Sequence, residues 1–544
     1  MSRLAKSLPL AVPLVLAALV FARVVTFPFV NWDDPSHFTA NPLTEHPLAR
    51  GFVGLLQTRE IGYPAPCLLL SFSLDHALWG WWPAPYHAEN LLLHLANVAL
   101  LFRMGRRLGL TPLEACAVAT LFAVHPLVVE PVSWGTGRKD LLSTALVFGA
   151  SLLVAGAPER SEIAAPWRWI VANIALACAV LVLPRAVVGG VVVALVVHGI
   201  RPDWSMRAVA VRLAPGFSFA LVAMVLGARQ LSSLGGVPPP RSLADVAGDV
   251  GGAWALQSFH LAFPVDLLSY YFRSPGDPPA WGMLVAALVA LGVLALLVRS
   301  PIPASRTGAL LAIVVYAPIS CLFVIRRWTA DSYMYVPIAA IALAVVPAIA
   351  RAWPLGLRRF GLSAAGALAV VLALLSFAGT ARWRSSAAVW AGSIRRYPDQ
   401  PLSYEHEALG LAADGRLAEA NPIFVALAER FPDWQEALDD EVRAYEAEGR
   451  PDRADELLLR GARAGSQRCI HLYWLRLLVS PTPPPASQRD LVATAFDREM
   501  VSMTADIGAP GPFLRAAAVL QSVGLEARAR RAAEHAAALS AARP

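Results

Sequence analysis

Directly after its first apolar segment the chain reads Asn31-Trp32-Asp33-Asp34-Pro35-Ser36-His37-Phe38-Thr39-Ala40-Asn41-Pro42. The preceding residues 8–27 are almost continuously apolar and long enough to cross a bilayer. Two adjacent carboxylates and a histidine thus stand at the mouth of a membrane, where ionisable groups are costly and have a function by default. The alternative is that Asp33 and Asp34 only cap the next helix or stay solvated at the interface.

The composition assigns the chain to the polytopic membrane proteins. Hydrophobic residues make up 56% of its 544 residues and charged residues only 16%, too few for a soluble globular protein. The net charge of +7 comes mostly from Arg, without a basic stripe of interleaved aromatic residues, so we expect no nucleic-acid partner. The five cysteines are odd in number and scattered, which argues against a disulfide framework and a zinc site.

Hydropathy and the distribution of Arg together predict about eleven membrane crossings. The short loops rich in Arg then lie in the cytoplasm, with the N-terminus, while the C-terminus lies outside. The alternative for the first segment is a cleaved signal peptide. The crossings are predicted at residues 8–27, 86–102, 112–129, 139–156, 167–183, 185–200, 208–227, 281–298, 307–325, 334–350 and 361–379.

Two long loops are predicted on the outer side, at residues 28–85 and 228–280. Within the first of them, the stretch from Phe52 to Trp82 is amphipathic and is interrupted by Pro64 and Pro66. A segment of this kind favours a position in the membrane interface over a crossing.

Beyond Thr380 the composition changes to polar, Ala-rich helix with many Glu and Arg. Three features recur 34 residues apart: Tyr397-Pro398 as Phe431-Pro432, Gly415-Arg416 as Gly449-Arg450, and Ala420 as Ala454. Such a helix-turn-helix unit is similar to the tetratricopeptide repeat. We therefore predict an all-α chain with a transmembrane domain over residues 1–380 and an extracytoplasmic repeat domain over residues 381–544. An unrelated helical bundle is the alternative for the second domain.

Polar side chains recur within the predicted membrane-spanning segments. His87, Asn90, His94 and Asn97 are spaced 3, 4 and 3 apart, so they share one helix face that looks into protein or water. Each of them can also serve only to hold neighbouring helices together. Two further groups of ionisable residues and tyrosines are predicted on the outer side, where His37 also lies. The first group is His125, Glu130, Arg138, Lys139 and Asp140, and the second is Arg326, Arg327, Asp331, Tyr333 and Tyr335.

In their order, these motifs resemble the tetratricopeptide-bearing protein O-mannosyltransferase-like family of the GT-C membrane glycosyltransferases, over nearly the whole chain. The resemblance rests on the Asp33-Asp34 loop, on Tyr86-His87-Ala88-Glu89-Asn90 leading into Leu93-His94-Leu95-Ala96-Asn97, on His125-Pro126 followed by Glu130 and Gly137-Arg138-Lys139-Asp140, on Tyr333-Met334-Tyr335-Val336-Pro337, and on the repeats that follow.

The resemblance implies a sugar carried on a polyprenyl phosphate, drawn from the bilayer and transferred outside the cytoplasm to an acceptor hydroxyl. We expect this acceptor to be a protein or peptide, and the membrane to be a bacterial inner membrane. By the same resemblance Asp33 or Asp34 is the catalytic base, with a slight preference for Asp34 because it is the family's second acid, and Glu130, Arg138 and Asp140 line the sugar-phosphate site.

The chemistry agrees with these roles. An inverting transfer needs a carboxylate to take the acceptor proton, which Asp33 or Asp34 can do. It also needs cations near the leaving phosphate, for which Arg138, Lys139, Arg326 and Arg327 are candidates, and Tyr333 and Tyr335 stand beside this group. No further cofactor is expected, except that Asp34 and Asp140 could hold a divalent cation.

Two positions depart from the family pattern. Pro184-Arg185 stands where the family usually has Lys-Glu, and Asp331-Ser332 where it has Glu-Arg, so Arg326 or Arg327 would have to replace the missing Arg. Two other functions stay open. The chain could be a non-catalytic membrane scaffold whose repeats recruit proteins. It could also be a transporter, but the sequence shows no inverted repeat of broken helices, which makes this the weaker alternative.

Overall fold

The computed structural model describes residues 3–49, 51–56, 61, 63–157, 165–233, 242–273, 281–319, 327–352, 354, 358–431, 450–463, 465, 467–480, 482–506 and 511–541. These residues form helices and turns with no strand among them, which confirms the all-α class. The chain divides into two compact units, Met1–Ser393 and Ile394–Pro544. The predicted boundary after Thr380 lies before this division, and the domain assignment stays a prediction.

The first unit is a bundle of helices joined by short turns. Many of its helices begin with proline at the first position, where the missing N–H is not needed. Its helices are α1 Arg3–Phe21, α2 Pro42–Glu45, α3 Gly51–Leu56, α4 Pro66–Trp79, α5 Pro83–Arg107, α6 Pro112–Val124, α7 Val129–Ser133, α8 Arg138–Ala155, α9 Pro166–Val182, α10 Gly189–Ile200, α11 Met206–Ser233, α12 Leu243–Ala262, α13 Trp281–Leu297, α14 Pro303–Tyr316, α15 Tyr335–Ala352, α16 Arg358–Thr380 and α17 Ser386–Arg396, which runs into the second unit.

Several helices of this unit are apolar enough to cross a membrane. By length and composition, four spans among the described residues qualify: Leu8–Thr26, Met206–Leu226, Asp331–Ala352 and Ser363–Trp383. A fifth arises if α6 and the following Pro126–Ser133, bent by 55°, count as one span. These helices fit an integral membrane protein. The predicted eleven crossings and their orientation stay predictions.

The first predicted outer loop packs into a small hydrophobic core that it shares with residues of α5, α8 and α9. Phe38, Phe72 and Tyr86 are buried in it, with ring centroids of Phe38 and Phe72 4.5 Å apart. The opposite side of α4 carries Leu70, Leu74 and Leu78, which are 45%, 61% and 62% exposed and lie one helical turn apart. This apolar stripe suits a helix lying in the membrane interface, as the sequence predicts.

Helices α14 and α15 approach each other closely at Gly308. A Cβ atom there would lie 2.5 Å from the backbone N of Ala344 and 2.6 Å from the carbonyl O of Ala340. Only glycine lets the two backbones come this near. The contact matters for the site because α15 directly follows the turn that carries Asp331 and Tyr333.

The second unit consists of helices paired across short turns. Ala420 and Ala454, which are 34 residues apart in sequence, are both fully buried on their helices. The helix that would complete the second repeat falls in residues 432–449, outside the described residues, and the tetratricopeptide assignment stays a prediction. The described helices are α18 Pro401–Ala413, α19 Leu417–Arg430, α20 Pro451–Arg463, α21 Gln467–Val479, α22 Arg489–Asp506, α23 Gly511–Ser522 and α24 Glu526–Ala541.

Replacing Gly308 by alanine should destabilise the protein, because α14 and α15 must separate to admit the methyl group. We expect a loss of about 1–3 kcal/mol of unfolding free energy, seen as a lower melting temperature of the purified protein in detergent. The matched control is Gly292→Ala in α13, where a Cβ atom meets nothing within 4 Å. Equal melting temperatures for the two variants would contradict the close packing.

Candidate active site

Asp34 is a buried link between the first loop and the turn before α8. Its Oδ1 accepts hydrogen bonds from the Thr136 N–H at 2.9 Å and the Thr136 hydroxyl at 2.6 Å, and its Oδ2 accepts one from the Val30 N–H at 3.0 Å. The side chain does not cap the turn that follows it. Gly135 is required beside it, since a Cβ atom there would lie 3.2 Å from both carboxylate oxygens.

Asp33 points to a different partner and is more accessible. Its Oδ2 lies 3.2 Å from Lys139 Nζ, and its side chain is 37% exposed. Burial acts to raise the pKa of Asp33, but the charges of Lys139, His37 and Arg327 outweigh it and hold that pKa below its ordinary value. At neutral pH the site therefore presents an ionised carboxylate next to an ammonium group.

A second ion pair, between Arg327 and Glu130, lies close to the first. Arg327 Nη1 is 3.0 Å from Glu130 Oε1, and its guanidinium lies over the rings of Trp32 and Tyr270 at 5.3 and 5.6 Å from their centroids. The Arg327 charge acts on the Asp33 carboxylate as well. Glu130 is almost fully buried, so this pair forms the inner wall of the site.

Asp140 pairs with Arg185, which precedes α10. The Arg185 guanidinium lies over the ring of Tyr333 at 4.9 Å from its centroid. It also interacts electrostatically with Tyr63 and Glu130, and Tyr63 in turn with Asp33. The three ion pairs Asp33–Lys139, Glu130–Arg327 and Asp140–Arg185 thus belong to one cluster, which we call the charged cluster.

The sequence prediction missed Arg185, Tyr63 and Tyr270 as members of the site. Tyr270 lies in the non-helical stretch after α12, where it contacts Trp32 at 5.4 Å between ring centroids. Tyr63 and Tyr270 belong to none of the sequence motifs that predicted the site. Arg185 did carry a signal, because an Arg at that position was one of the two departures from the family pattern.

Arg138, expected to bind the donor phosphate, lies outside the charged cluster. Its side chain is fully buried, with Nη2 2.6 Å from Asp75 Oδ2 and Nη1 3.1 Å from Glu89 Oε2. It also donates to Asn90 Oδ1 at 3.3 Å. The structure therefore gives Arg138 a role in joining α8 to α4 and α5, with no exposed surface for a phosphate.

Most of the polar stripe on α5 joins helices. Asn90 donates to the carbonyl O of Trp134 at 2.8 Å, and His94 Nδ1 lies 2.9 Å from the Tyr335 hydroxyl. Asn97 donates to that same hydroxyl at 3.1 Å. We expected Tyr335 to stand at the donor site. Its side chain is 1% exposed, and its hydroxyl bonds to α5 inside the bundle and does not face the charged cluster.

The remaining histidines have local partners. His37 Nδ1 lies 3.0 Å from the carbonyl O of Asp33 and Nε2 lies 3.5 Å from the Tyr63 hydroxyl, which puts this ring at the edge of the cluster. His125 accepts from the Leu127 N–H at 3.2 Å at the break after α6. His87 is buried against Phe29, with 6.2 Å between ring centroids. Arg326 lies outside the described residues.

The carboxylates considered for a divalent cation have other partners. Asp34 accepts three hydrogen bonds and Asp140 pairs with Arg185, so both carboxylates already have partners, and a cation between them stays a prediction. Within the described part of the chain, no group of three or more His, Cys, Asp or Glu side chains is arranged to hold a metal ion.

Comparisons with known proteins support the resemblance predicted from the motifs. The protein O-mannosyl-transferase Tmtc1 of Drosophila melanogaster is 32% identical over 127 residues, covering 23% of this chain and 14% of that protein. TMTC2 of Mus musculus is 33% identical over 128 residues, covering 23% and 15%. The predicted family resemblance is confirmed, but over a part of this chain and not over nearly the whole of it. Tmtc2 of Xenopus laevis extends it to 215 residues at 29% identity, covering 37% and 26%.

The similarity is partial in length. The chain spans between 14% and 26% of the length of these three relatives. No family model matches the chain, and no solved structure matches it. The relatives are animal proteins, so the expected bacterial membrane stays a prediction.

Burial of Asp34 has a consequence for the pH dependence of stability. Burial raises the pKa of Asp34 from its ordinary value of 3.8 to about 6, even though the Thr136 and Val30 hydrogen bonds favour the ionised form. The folded protein therefore binds this proton more tightly than the unfolded chain does. The resulting stability is complete below pH 3.8 and is lost as the pH rises through about 6.

Asp34→Asn should remove this dependence. We expect the unfolding free energy of the wild type to fall, relative to the variant, by on the order of 2 kcal/mol between about pH 4 and pH 6.5. Denaturation in detergent at a series of pH values measures the two slopes. Asp33→Asn is the matched control, because the pKa of Asp33 is lowered and its carboxyl is already ionised in this range. Parallel slopes for the wild type and Asp34→Asn would contradict the raised pKa.

Proposed function

We propose that the protein is a membrane-embedded glycosyltransferase. It transfers a sugar from a polyprenyl-phosphate donor to a hydroxyl group of a protein outside the cytoplasm. The observation that carries this proposal is the accessible Asp33 carboxylate, which is surrounded by the cations Lys139 and Arg327 from two other segments. The relatives named as protein O-mannosyl-transferases support a sugar donor and a protein acceptor.

Asp33 is the general base in this mechanism. It takes the proton from the acceptor hydroxyl while the acceptor oxygen forms a bond to the anomeric carbon of the sugar. The bond between that carbon and the phosphate oxygen breaks, and its electron pair leaves with the phosphate. Lys139 and Arg327 stabilise the negative charge that develops on the leaving group.

The accessibility of the two carboxylates favours Asp33 over Asp34, to which our sequence interpretation gave a slight preference as the family's second acid. Asp34 is fully buried and its two oxygens accept three hydrogen bonds, so an acceptor hydroxyl cannot reach them without breaking those bonds. Asp33 has one cationic partner and open surface. Asp34 then acts on the reaction by holding the loop that carries Asp33.

Asp33→Asn should abolish most transfer, because asparagine keeps the size of the side chain but cannot accept the proton. We expect a loss of at least about a hundredfold. Mass spectrometry of acceptor proteins, after incubation with labelled polyprenyl-phosphate sugars, measures the hexose gained. The control is Asp203→Asn, since that carboxylate is 59% exposed and pairs with Arg201 outside the site. Full transfer by Asp33→Asn and by Asp34→Asn would overturn the mechanism, whereas no transfer by the wild type would favour the scaffold alternative.

The repeat domain presents the acceptor in this proposal. Helix pairs repeating every 34 residues stack into a curved array with a concave groove, and such grooves hold extended peptides. The paired helices of the second unit and the buried positions of Ala420 and Ala454 support an array of this kind.

Deleting residues 400–544 should sharply reduce transfer to protein while binding of the donor survives. The reason is that the proposed donor residues all belong to the first unit. Donor binding and transfer, measured on the truncated and the full-length protein, separate the two effects. Equally efficient transfer by the truncated protein, with unchanged apparent affinity for the acceptor, would assign the repeats to partner recruitment instead.

A further inference from the structure

A pocket opens between α8, the start of α10, α14 and the start of α15. Its body is lined by apolar side chains, among them Val147, Phe148, Val192, Val315 and Val336. Its polar end carries Asp140, Arg185, Ser332 and Tyr333. We call this space the lateral pocket. An apolar body that ends in an ion pair matches a ligand with a long apolar chain and one charged group.

Among the described residues, Arg185 is the basic residue that lines the lateral pocket, and it is 20% exposed. Its guanidinium pairs with Asp140 and lies flat over the ring of Tyr333. It also interacts with Tyr63 and Glu130 of the charged cluster. Arg185 therefore stands at the boundary between the lateral pocket and the site around Asp33.

The other cations of the cluster are held by different carboxylates. Lys139 pairs with Asp33 and Arg327 pairs with Glu130. Neither is among the residues that line the lateral pocket. An anion at the polar end of this pocket would therefore meet Arg185 first.

We propose that the lateral pocket binds the lipid end of the donor, with Arg185 as the ligand of its phosphate. This rests on the proposed function for the identity of the lipid as a polyprenyl phosphate. The planar guanidinium can bind two phosphate oxygens at once, and the apolar walls hold the prenyl units nearest to the phosphate. The sugar on the other side of the phosphate then extends toward Asp33.

The same geometry explains a departure seen in the sequence. Ser332 lines the lateral pocket together with Arg185. The Arg that the resemblance expects at position 332 would enter this pocket from the α15 side, whereas Arg185 enters it from the α10 side. Arg185 therefore supplies from α10 a cation that the resemblance expects from the start of α15.

Binding of labelled undecaprenyl phosphate to the full-length protein in phosphatidylcholine nanodiscs tests the proposal without any transfer step. We expect Arg185→Gln to weaken binding by about tenfold to a hundredfold. Arg185→Lys, which keeps the charge, should weaken it by less. Arg212→Gln, an exposed Arg of α11, is the matched control and should bind as the wild type does. Undecaprenol, which lacks the phosphate, should bind weakly and equally to all of these variants.

Three further variants keep the test informative if Arg185→Gln fails to fold. Arg185→Glu should abolish binding, and adding Ser332→Arg to it should restore a part, because the two positions share the pocket. Val192→Phe narrows the apolar body and should weaken binding of the lipid phosphate with Arg185 intact. Binding by Arg185→Gln equal to the wild type, or equal binding of undecaprenol and undecaprenyl phosphate, would overturn the proposal.

The outcomes also separate this inference from the proposed function. Binding of undecaprenyl phosphate that depends on Arg185, in a protein that transfers no sugar, would leave the inference standing and refute the glycosyltransferase. Sugar transfer with a donor KM unchanged by Arg185→Gln would refute the inference alone.

Discussion

The buried hydrogen bonds of the Asp34 carboxylate hold the site together. They tie the loop after α1 to Thr136, which lies 102 residues away in sequence. Asp33 is the neighbour of Asp34, and Lys139 follows Thr136 by less than one helical turn. The same set of bonds therefore brings the Asp33–Lys139 pair together. A buried carboxylate without its donors would be costly, so the loop has few other positions open to it.

The first turn of α8 carries three adjacent charged residues whose side chains point in three directions. Successive residues on a helix point about 100° apart, so Arg138, Lys139 and Asp140 meet three different partners. Arg138 reaches Asp75 and Glu89, Lys139 reaches Asp33, and Asp140 reaches Arg185. This turn thereby joins the small core of the first loop, the charged cluster and the lateral pocket.

Helix periodicity in the sequence predicts which residues share a face, but it does not predict what that face meets. The stripe of Asn90, His94 and Asn97 was predictable as a face, whereas its partners, Trp134 and Tyr335, come from helices distant in sequence. For the same reason the three adjacent charges at Arg138 were assigned to one function. The exposed side of α4 is as apolar as its buried side, which carries Leu68, Leu69 and Phe72. The predicted interfacial position of this helix therefore stays a prediction.

Charge balance in the cluster indicates where substrates can enter it. Three carboxylates face three cations, and each pair is satisfied before any substrate arrives. Separating a buried pair leaves an uncompensated charge, which costs about 3–5 kcal/mol, whereas a group in contact with water can exchange its partner at a lower cost. Glu130 is 1% exposed, while the side chains of Asp33 and Arg185 are 37% and 20% exposed. These exposures favour Asp33 as the contact of the proposed acceptor hydroxyl and Arg185 as the contact of the proposed phosphate. Asp140 is 4% exposed, so Arg185 has to keep its pair with Asp140 while it binds the phosphate.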